Sequence, residues 1–304
     1  MEIAGTPLTL LVNPSSAGGR SLKLLPRVEA ALDARRAVFR VEKTRSLEHG
    51  AELALRAIEL GEVPVVVSGD GLLGAVGGAM AGAEAPLGLI PAGRGNDLAR
   101  ALGIPSEPEA AVAALLAGES RRIDVGEANG KRFLGIASVG FDSECNRLAN
   151  ETHWLRGNLV YAYSMPRTLI SWRSARFTLA VGEERKRISG YFVAVANNSV
   201  YGGGMYIAPD AELDDGEFDV VSIGEGGKLR FLWGLKDVFK GTHLQKDEVS
   251  VFRTPRLELD ASRPFPVYAD GDHLTDLPVS LRVLPRSLSI LVPPGAGKGI
   301  RRDG

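Results

Sequence analysis

Two hydrophobic rhythms alternate along the first 125 residues. Short apolar-rich runs at 8–12, 37–42, 63–67, 87–90 and 122–125 are separated by stretches at 21–32, 46–60 and 107–116, where apolar positions recur every three or four residues. The apolar runs predict strands of a buried sheet, and the three-four spacing predicts amphipathic helices. Their alternation predicts a parallel sheet covered by helices, an α/β domain over residues 1–125. In such a sheet ligands sit beyond the carboxyl ends of the strands.

From residue 133 strand-like segments dominate, at 133–141, 175–181, 188–196, 217–223, 248–252, 256–260, 265–269 and 279–284. Segments so closely spaced predict a mainly antiparallel β-sandwich domain over residues 126–285. Two helices are expected to interrupt it as packing elements. One lies at 155–172, with Tyr161, Met165 and Leu169 at helical spacing, and the other at 228–239. A final strand near 286–292 is expected to pack back onto the first domain. The tail 293–304 carries glycine and charge without an apolar face and is expected to be disordered. Its Gly295, Gly297 and Lys298 lack the frame and following helix of a phosphate-binding P-loop.

The 304 residues suffice for two domains with ordinary cores. With 36 Lys and Arg against 37 Asp and Glu, the net charge is −1. No global field holds a polyanion, so nucleic acid is not an expected partner. One cysteine, Cys145, excludes an internal disulfide and a thiolate metal site. The opening apolar run is too short for a signal peptide, and no uninterrupted run approaches the ~18 residues of a membrane span. A cytoplasmic protein that meets the inner face of a membrane only peripherally is expected. Oligomeric state stays open, a homodimer included.

Glycine is the outlier, with 37 residues against a usual share of ~7%, and its clusters follow the predicted strands. Asn13-Pro14 runs into Gly18-Gly19 and a helix; loop amides and a helix start suit a phosphate, although an Asn-Pro turn with a glycine hinge reads the same way. Gly69-Asp70-Gly71 lets a phosphate approach the backbone with Asp70 aimed at it or at a metal, the plain alternative being a tight turn with Asp70 as helix cap. Further glycines continue into that helix, where they cost stability, which favours the functional reading. Gly93-Arg94-Gly95-Asn96-Asp97 delivers an amide and a carboxylate at a helix start; Asn96 suits a cap and Asp97 a magnesium ion held through water. Asp124, at a strand end, reads equally as ligand or turn residue. Three such loops with three carboxylates describe a nucleotide and magnesium site for phosphoryl transfer.

Together these residues resemble the lipid kinase superfamily that includes bacterial diacylglycerol kinases and sphingosine kinases. The likeness continues through Tyr201-Gly202-Gly203-Gly204, Leu213-Asp214-Asp215-Gly216 and Asp270-Gly271, and so spans nearly the whole chain. It implies an ATP-binding α/β domain, a β-sandwich lipid-binding domain, and transfer of the γ-phosphate to a lipid hydroxyl. It further implies that Asn13, Pro14, Gly18, Gly19, Thr44, Gly69, Asp70, Gly71, Gly93, Arg94 and Asn96 line the ATP site. Asp70, Asp97 and Asp124 would join a water and Mg2+ network. Asp215, with backbone oxygens of Glu212 and Glu217, would hold a structural magnesium, an Asp-Gly hairpin turn being the plain alternative. Asp272, assisted by Asp270 or Asp70, would accept the proton of the lipid hydroxyl.

Three positions depart from the family. Ala75 stands where glutamate is usual, Arg94 where threonine is usual, and Asp272 where the proton-accepting glutamate is usual. Aspartate keeps the charge on a stem one methylene shorter, and misplacing a base by about 1 Å can cost ~100-fold in rate. Arg94 either grips a phosphate or fills space meant for the nucleotide. Two other functions remain open. An NAD kinase relative shares the Gly-Asp-Gly and Asn-Asp elements, and the three departures together suit a catalytically silent nucleotide or lipid-binding module. Trp154, Leu155, Tyr161 and Trp172 are candidates for touching a bilayer, but their helical spacing favours burial in the core.

Overall fold

The computed structural model describes residues 5–152 and 158–296. His153, Trp154 and Leu155 therefore lie outside the described residues, as does the tail from residue 297 on, with Gly297 and Lys298. The chain divides into two compact units, Met1–Val125 with Glu212–Asp215 and Leu284–Gly304, and Gly126–Ala211 with Gly216–Val283.

In the first unit β1 (Leu8–Val12), α1 (Arg20–Asp33), β2 (Phe39–Lys43), α2 (Leu47–Glu59), β3 (Val63–Ser68), α3 (Asp70–Met80), β4 (Gly88–Pro91), α4 (Asp97–Ala101) and α5 (Pro108–Leu116) follow in order. The four strands form a sheet in the order β2-β1-β3-β4, parallel throughout, with Leu8 opposite both Phe39 and Val63. Alternate strand residues Leu8, Leu10, Val12, Val63, Val65 and Val67 meet Val28 and Leu32 of α1 and Val112 and Leu115 of α5 in one core. Against the sheet α2 and α3 pack together, so closely that a methyl at Gly50 would stand 2.4 Å from Leu72 Cδ1. The strand order reverses direction between β1 and β3, which places the loops after these strands where a doubly wound sheet binds ligands.

The first unit also takes Glu212–Asp215. Leu213 O accepts the Asp124 amide at 2.6 Å, and Arg121 grips Asp214 with two hydrogen bonds of 2.9 and 3.2 Å. Leu87 N–H donates to Ser289 O at 2.8 Å and Leu87 O accepts Leu291 N–H at 2.9 Å, so the chain end closes on this unit, with Leu291 in its core.

The chain leaves the first unit within β5 (Glu119–Ala128) and forms β6 (Lys131–Phe133), β7 (Ile136–Gly140), α6 (Phe141–Glu151), α7 (Asn158–Ser171), β8 (Ala175–Val181), β9 (Glu184–Ala196), β10 (Phe218–Gly224), α8 (Lys228–Lys240), β11 (Val249–Thr254), β12 (Arg256–Ala261), β13 (Pro266–Ala269), β14 (Asp272–Asp276) and β15 (Val279–Val292). The pairings of the second unit are antiparallel. β9 is the branch: residues 184–190 pair with β8, whereas 192–196 pair with both β7 and β10. Phe177, Phe218 and Phe265 are fully buried in the core beneath these strands.

The predicted strand over 133–141 is corrected at its end, because Phe141–Glu151 is helical. Phe141, Cys145 and Ala149, four residues apart, are its buried stripe, and the Ser143 hydroxyl accepts the Gly140 amide at 2.9 Å as a cap. The sequence reading also lacks β14, a polar edge strand joined to β13 by a turn with positive φ at Asp270 and Gly271. Trp172 is no bilayer contact: it is 7% exposed, packed edge-on to Phe141 at 5.7 Å. Tyr161 is exposed.

Candidate active site

The loops after β1, β3 and β4 converge in the first unit. After β1, Asn13 Oδ1 accepts the Ser15 amide at 3.0 Å and its hydroxyl at 2.8 Å, which tightens the turn at Pro14. Ala17, Gly18 and Gly19 then take positive φ of 48°, 70° and 86°, a path that glycine follows at little cost, before α1 begins. A Cβ at Gly69 would lie 3.8 Å from Ser16 Oγ and 2.9 Å from Gly93 Cα. Arg20 Nη1 reaches Gly93 O at 3.4 Å. Backbone thus packs on backbone where the three loops meet, and a side chain at Gly69 or Gly93 would fill the cradle.

The third loop is held by its own amide. Asn96, in the left-handed region at φ 51°, accepts Gly93 N–H at 2.8 Å and donates to Gly93 O at 3.2 Å. Asn96 therefore shapes the loop with its side chain. Asp70, the first residue of α3, accepts Leu98 N–H at 3.4 Å. Its Oδ2 and Asp97 Oδ2 lie 3.1 and 3.2 Å from where a Cβ of Gly95 would be, so two carboxylates gather over that glycine. Burial raises the Asp70 carboxyl above its ordinary value, and the Asp97 charge adds to the rise; the amides of Leu98, Asn96 and Asp97 oppose it. Arg94 is exposed and makes no hydrogen bond or ion pair among the described residues. Gly71 lies in the first turn of α3. Thr44 is buried, with its amide on Val12 O at 2.9 Å.

Asp124 is committed differently. It is fully buried, its Oδ1 accepting the Arg286 amide at 2.6 Å while its own amide ties down Leu213. Among the described residues no three His, Cys, Asp or Glu side chains gather as a metal site, and Asp70 and Asp97 are the two expected acids that lie together over Gly95. Of the expected structural magnesium loop, Glu212 and Asp215 belong to the first unit and Glu217 to the second.

In the second unit Asp270 and Asp272 do different work. Asp270 Oδ2 accepts the amides of Leu134 at 3.1 Å and Gly135 at 3.2 Å, and Oδ1 that of Ile136 at 3.3 Å. A carboxylate held by three buried amides is an anchor, and it fixes the turn that presents Asp272. Only glycine fits at 135, because a Cβ there would stand 2.0 Å from Asp270 Oδ1. Asp272 is exposed at the start of β14, yet the protein around its carboxyl withholds enough water to raise its pKa. His273 bonds Asp276 at 3.1 Å on the surface.

One polar cluster escaped the sequence reading. Asp142 Oδ2 takes Ser138 Oγ at 2.6 Å, Asn146 Nδ2 at 3.2 Å and the Tyr201 hydroxyl. Burial raises the Asp142 carboxyl and pushes the Tyr201 phenol well above its ordinary range. The four-residue spacing of Asp142 and Asn146 is the signal that recognising α6 would have supplied, whereas Ser138 joins them from β7.

Comparison with known proteins shows what the two parts of the chain are similar to. Residues 7–128 match the diacylglycerol kinase catalytic domain, and residues 135–292 match the YegS C-terminal NAD kinase beta sandwich-like domain. A diacylglycerol kinase of Mycobacterium tuberculosis is 34% identical over 295 residues, covering 94% of this chain and 95% of the relative. One of Bacillus subtilis is 29% identical over 249 residues, covering 80% of each. The crystal structure of a diacylglycerol kinase from Bacillus anthracis shares the fold with a TM-score of 0.70 at 17% identity, covering 96% of this chain and 98% of that one. The chain belongs to the bacterial diacylglycerol kinase-like family of lipid kinases, and it is a phosphotransferase with an alcohol acceptor.

Proposed function

We propose that the protein transfers the γ-phosphate of ATP, with Mg2+, to the hydroxyl of a diacylglycerol-like lipid. The observation that carries this reading is the pair Asp70 and Asp97 over Gly95, beside the Gly69 and Gly93 backbone contact. The donor set fits the metal: two carboxylates offer the hard oxygens Mg2+ prefers, and the raised Asp70 pKa marks a charge that a cation would stabilise. Bound there, Mg2+ would neutralise charge on the phosphate oxygens.

The residues of the chain do the rest. Amides of the glycine loops after β1, β3 and β4 cradle the phosphates, and exposed Arg94 adds a guanidinium to the same loops. The lipid oxygen bonds to Pγ, the bond from Pγ to the bridging oxygen of ADP breaks, and the hydroxyl proton passes to a carboxylate. Asp272 is the proposed acceptor, since a raised pKa makes its carboxylate a stronger base. Asp270 positions it.

The test is an acceptor panel of diacylglycerol, sphingosine and NAD, each incubated with ATP and Mg2+ and read by mass spectrometry. Phosphatidic acid as the main product is the expected result. NADP as the main product would move the assignment to an NAD kinase, and ATP binding with no product from any acceptor would move it to a silent binding module.

A further inference from the structure

We propose that the outer face of α8 docks the protein onto an anionic lipid surface. The helix turns Phe231, Leu235 and Val238 into the core of the second unit. Its opposite face is not the polar surface expected of a helix packed on one side. Leu229, Leu232, Trp233 and Phe239 are 74%, 42%, 65% and 55% exposed. At 3.6 residues per turn these four share about one third of the circumference with Lys236 and Lys240. Beside the start of α8, Lys228 Nζ donates to Ile170 O at 2.7 Å, and Ile170 at the end of α7 is itself 79% exposed, so the apolar patch continues across two helices.

The occupant follows from how charge and apolar surface interleave. Lys236 places its ammonium 4.4 Å from the Trp233 ring centre, within the apolar stripe. The buried centre of a protein interface is depleted of lysine, because its charge would lose water without recovering a partner. At a membrane the same lysines keep their ammonium groups among anionic headgroups while their stems, and Trp233, sit at the acyl boundary. No described helix is long and apolar enough to cross a membrane, so this contact lies in the interface plane. The docking stands on the helix itself, and its purpose rests on the lipid-kinase reading: it would bring the second unit to a membrane lipid acceptor.

The test is sedimentation of the full chain, without ATP, with vesicles of phosphatidylcholine alone and of phosphatidylcholine mixed with phosphatidylglycerol. The expected result is binding to the mixed vesicles, weakened by salt, with Trp emission shifted to the blue. Lys236→Glu with Lys240→Glu should weaken binding ~10-fold or more, and Leu229→Glu with Trp233→Glu should abolish it. Both double variants should phosphorylate a water-soluble short-chain diacylglycerol at the wild-type rate while losing activity on vesicles. Wild-type protein that ignores both vesicles, or variants that bind as wild type does, would overturn the proposal. So would a dimer in light scattering that Trp233→Glu dissociates without any vesicle binding, which would make the face a protein interface. Vesicle binding without phosphorylation of any lipid would keep the docking and sink the kinase reading.

Discussion

A methyl group on Gly93 would stand 2.4 Å from the Cα of Gly69, closer than non-bonded carbons approach. Neither partner is a flexible side-chain end, so the strain of Gly93→Ala must be taken up by the loops after β3 and β4. Overpacking of this kind costs about 1–3 kcal/mol. The variant should melt earlier in calorimetry and lose ATP-dependent stabilisation. An unchanged melt with intact ATP response would mean that the close approach does not shape the site.

Asp70 should trade stability for function. Its pKa in the fold is raised, so the folded protein holds that proton more tightly than the unfolded chain, and its stability contribution is present at low pH. The contribution is lost as pH rises from the ordinary carboxylate range through the raised value. Asp70→Asn, which has no such proton to lose, should therefore melt higher than wild type at neutral pH without metal, by an amount that shrinks on acidification. Its activity should fall at least ~100-fold, and Mg2+ with ATP should no longer raise its melting temperature. A variant less stable than wild type at neutral pH would contradict this account of the Asp70 carboxyl.

The two acids of the Asp-Gly-Asp turn should separate cleanly. Asp270→Ala orphans three buried amides and should cost about 3 kcal/mol or more, seen as a lower melting temperature. Asp272→Asn, whose parent carboxyl is also raised, should melt no lower than wild type at neutral pH and lower kcat with little change in KM for ATP. Equal losses of stability in both variants would assign both acids to the scaffold.

Cys145 should be silent in the native protein. Burial pushes its thiol up to about 12, so almost no thiolate exists at neutral pH. A chromogenic disulfide reagent should release no colour until denaturant is added, and then one equivalent for the chain's one cysteine. Rapid native reaction would show that α6 and α7 open readily.

Much of this was legible in the chain because parallel sheets leave a simple trace. Apolar-rich runs gave β1, β3 and β4, and glycine clusters directly after them marked Asp70, Asn96 and Asp97. What the chain hid is tertiary. The contact of Gly69 with Gly93 joins the loops that follow two different strands. The anchoring role of Asp270 depends on amides at 134–136, brought to it by the pairing of β7 with β13. The bond from the Arg286 amide to the Asp124 carboxylate likewise joins residues far apart in the sequence. α6 was masked by the strand-like run before it, while the helical spacing of Trp172 already favoured the core that Phe141 builds. The apolar outer face of α8 was in plain view, but periodicity alone does not say which side of a helix faces the protein.

The most direct measurement is transfer of label from γ-labelled ATP to diacylglycerol in mixed micelles with Mg2+, wild type beside Asp70→Asn and Asp97→Asn. Label should enter the lipid with wild type and fall at least ~100-fold in both variants, while circular dichroism shows all three folded. Label entering the lipid at equal rates in all three would contradict the assignment of the Asp70 and Asp97 pair, and no label in the lipid from wild type that binds ATP would contradict the proposed reaction itself.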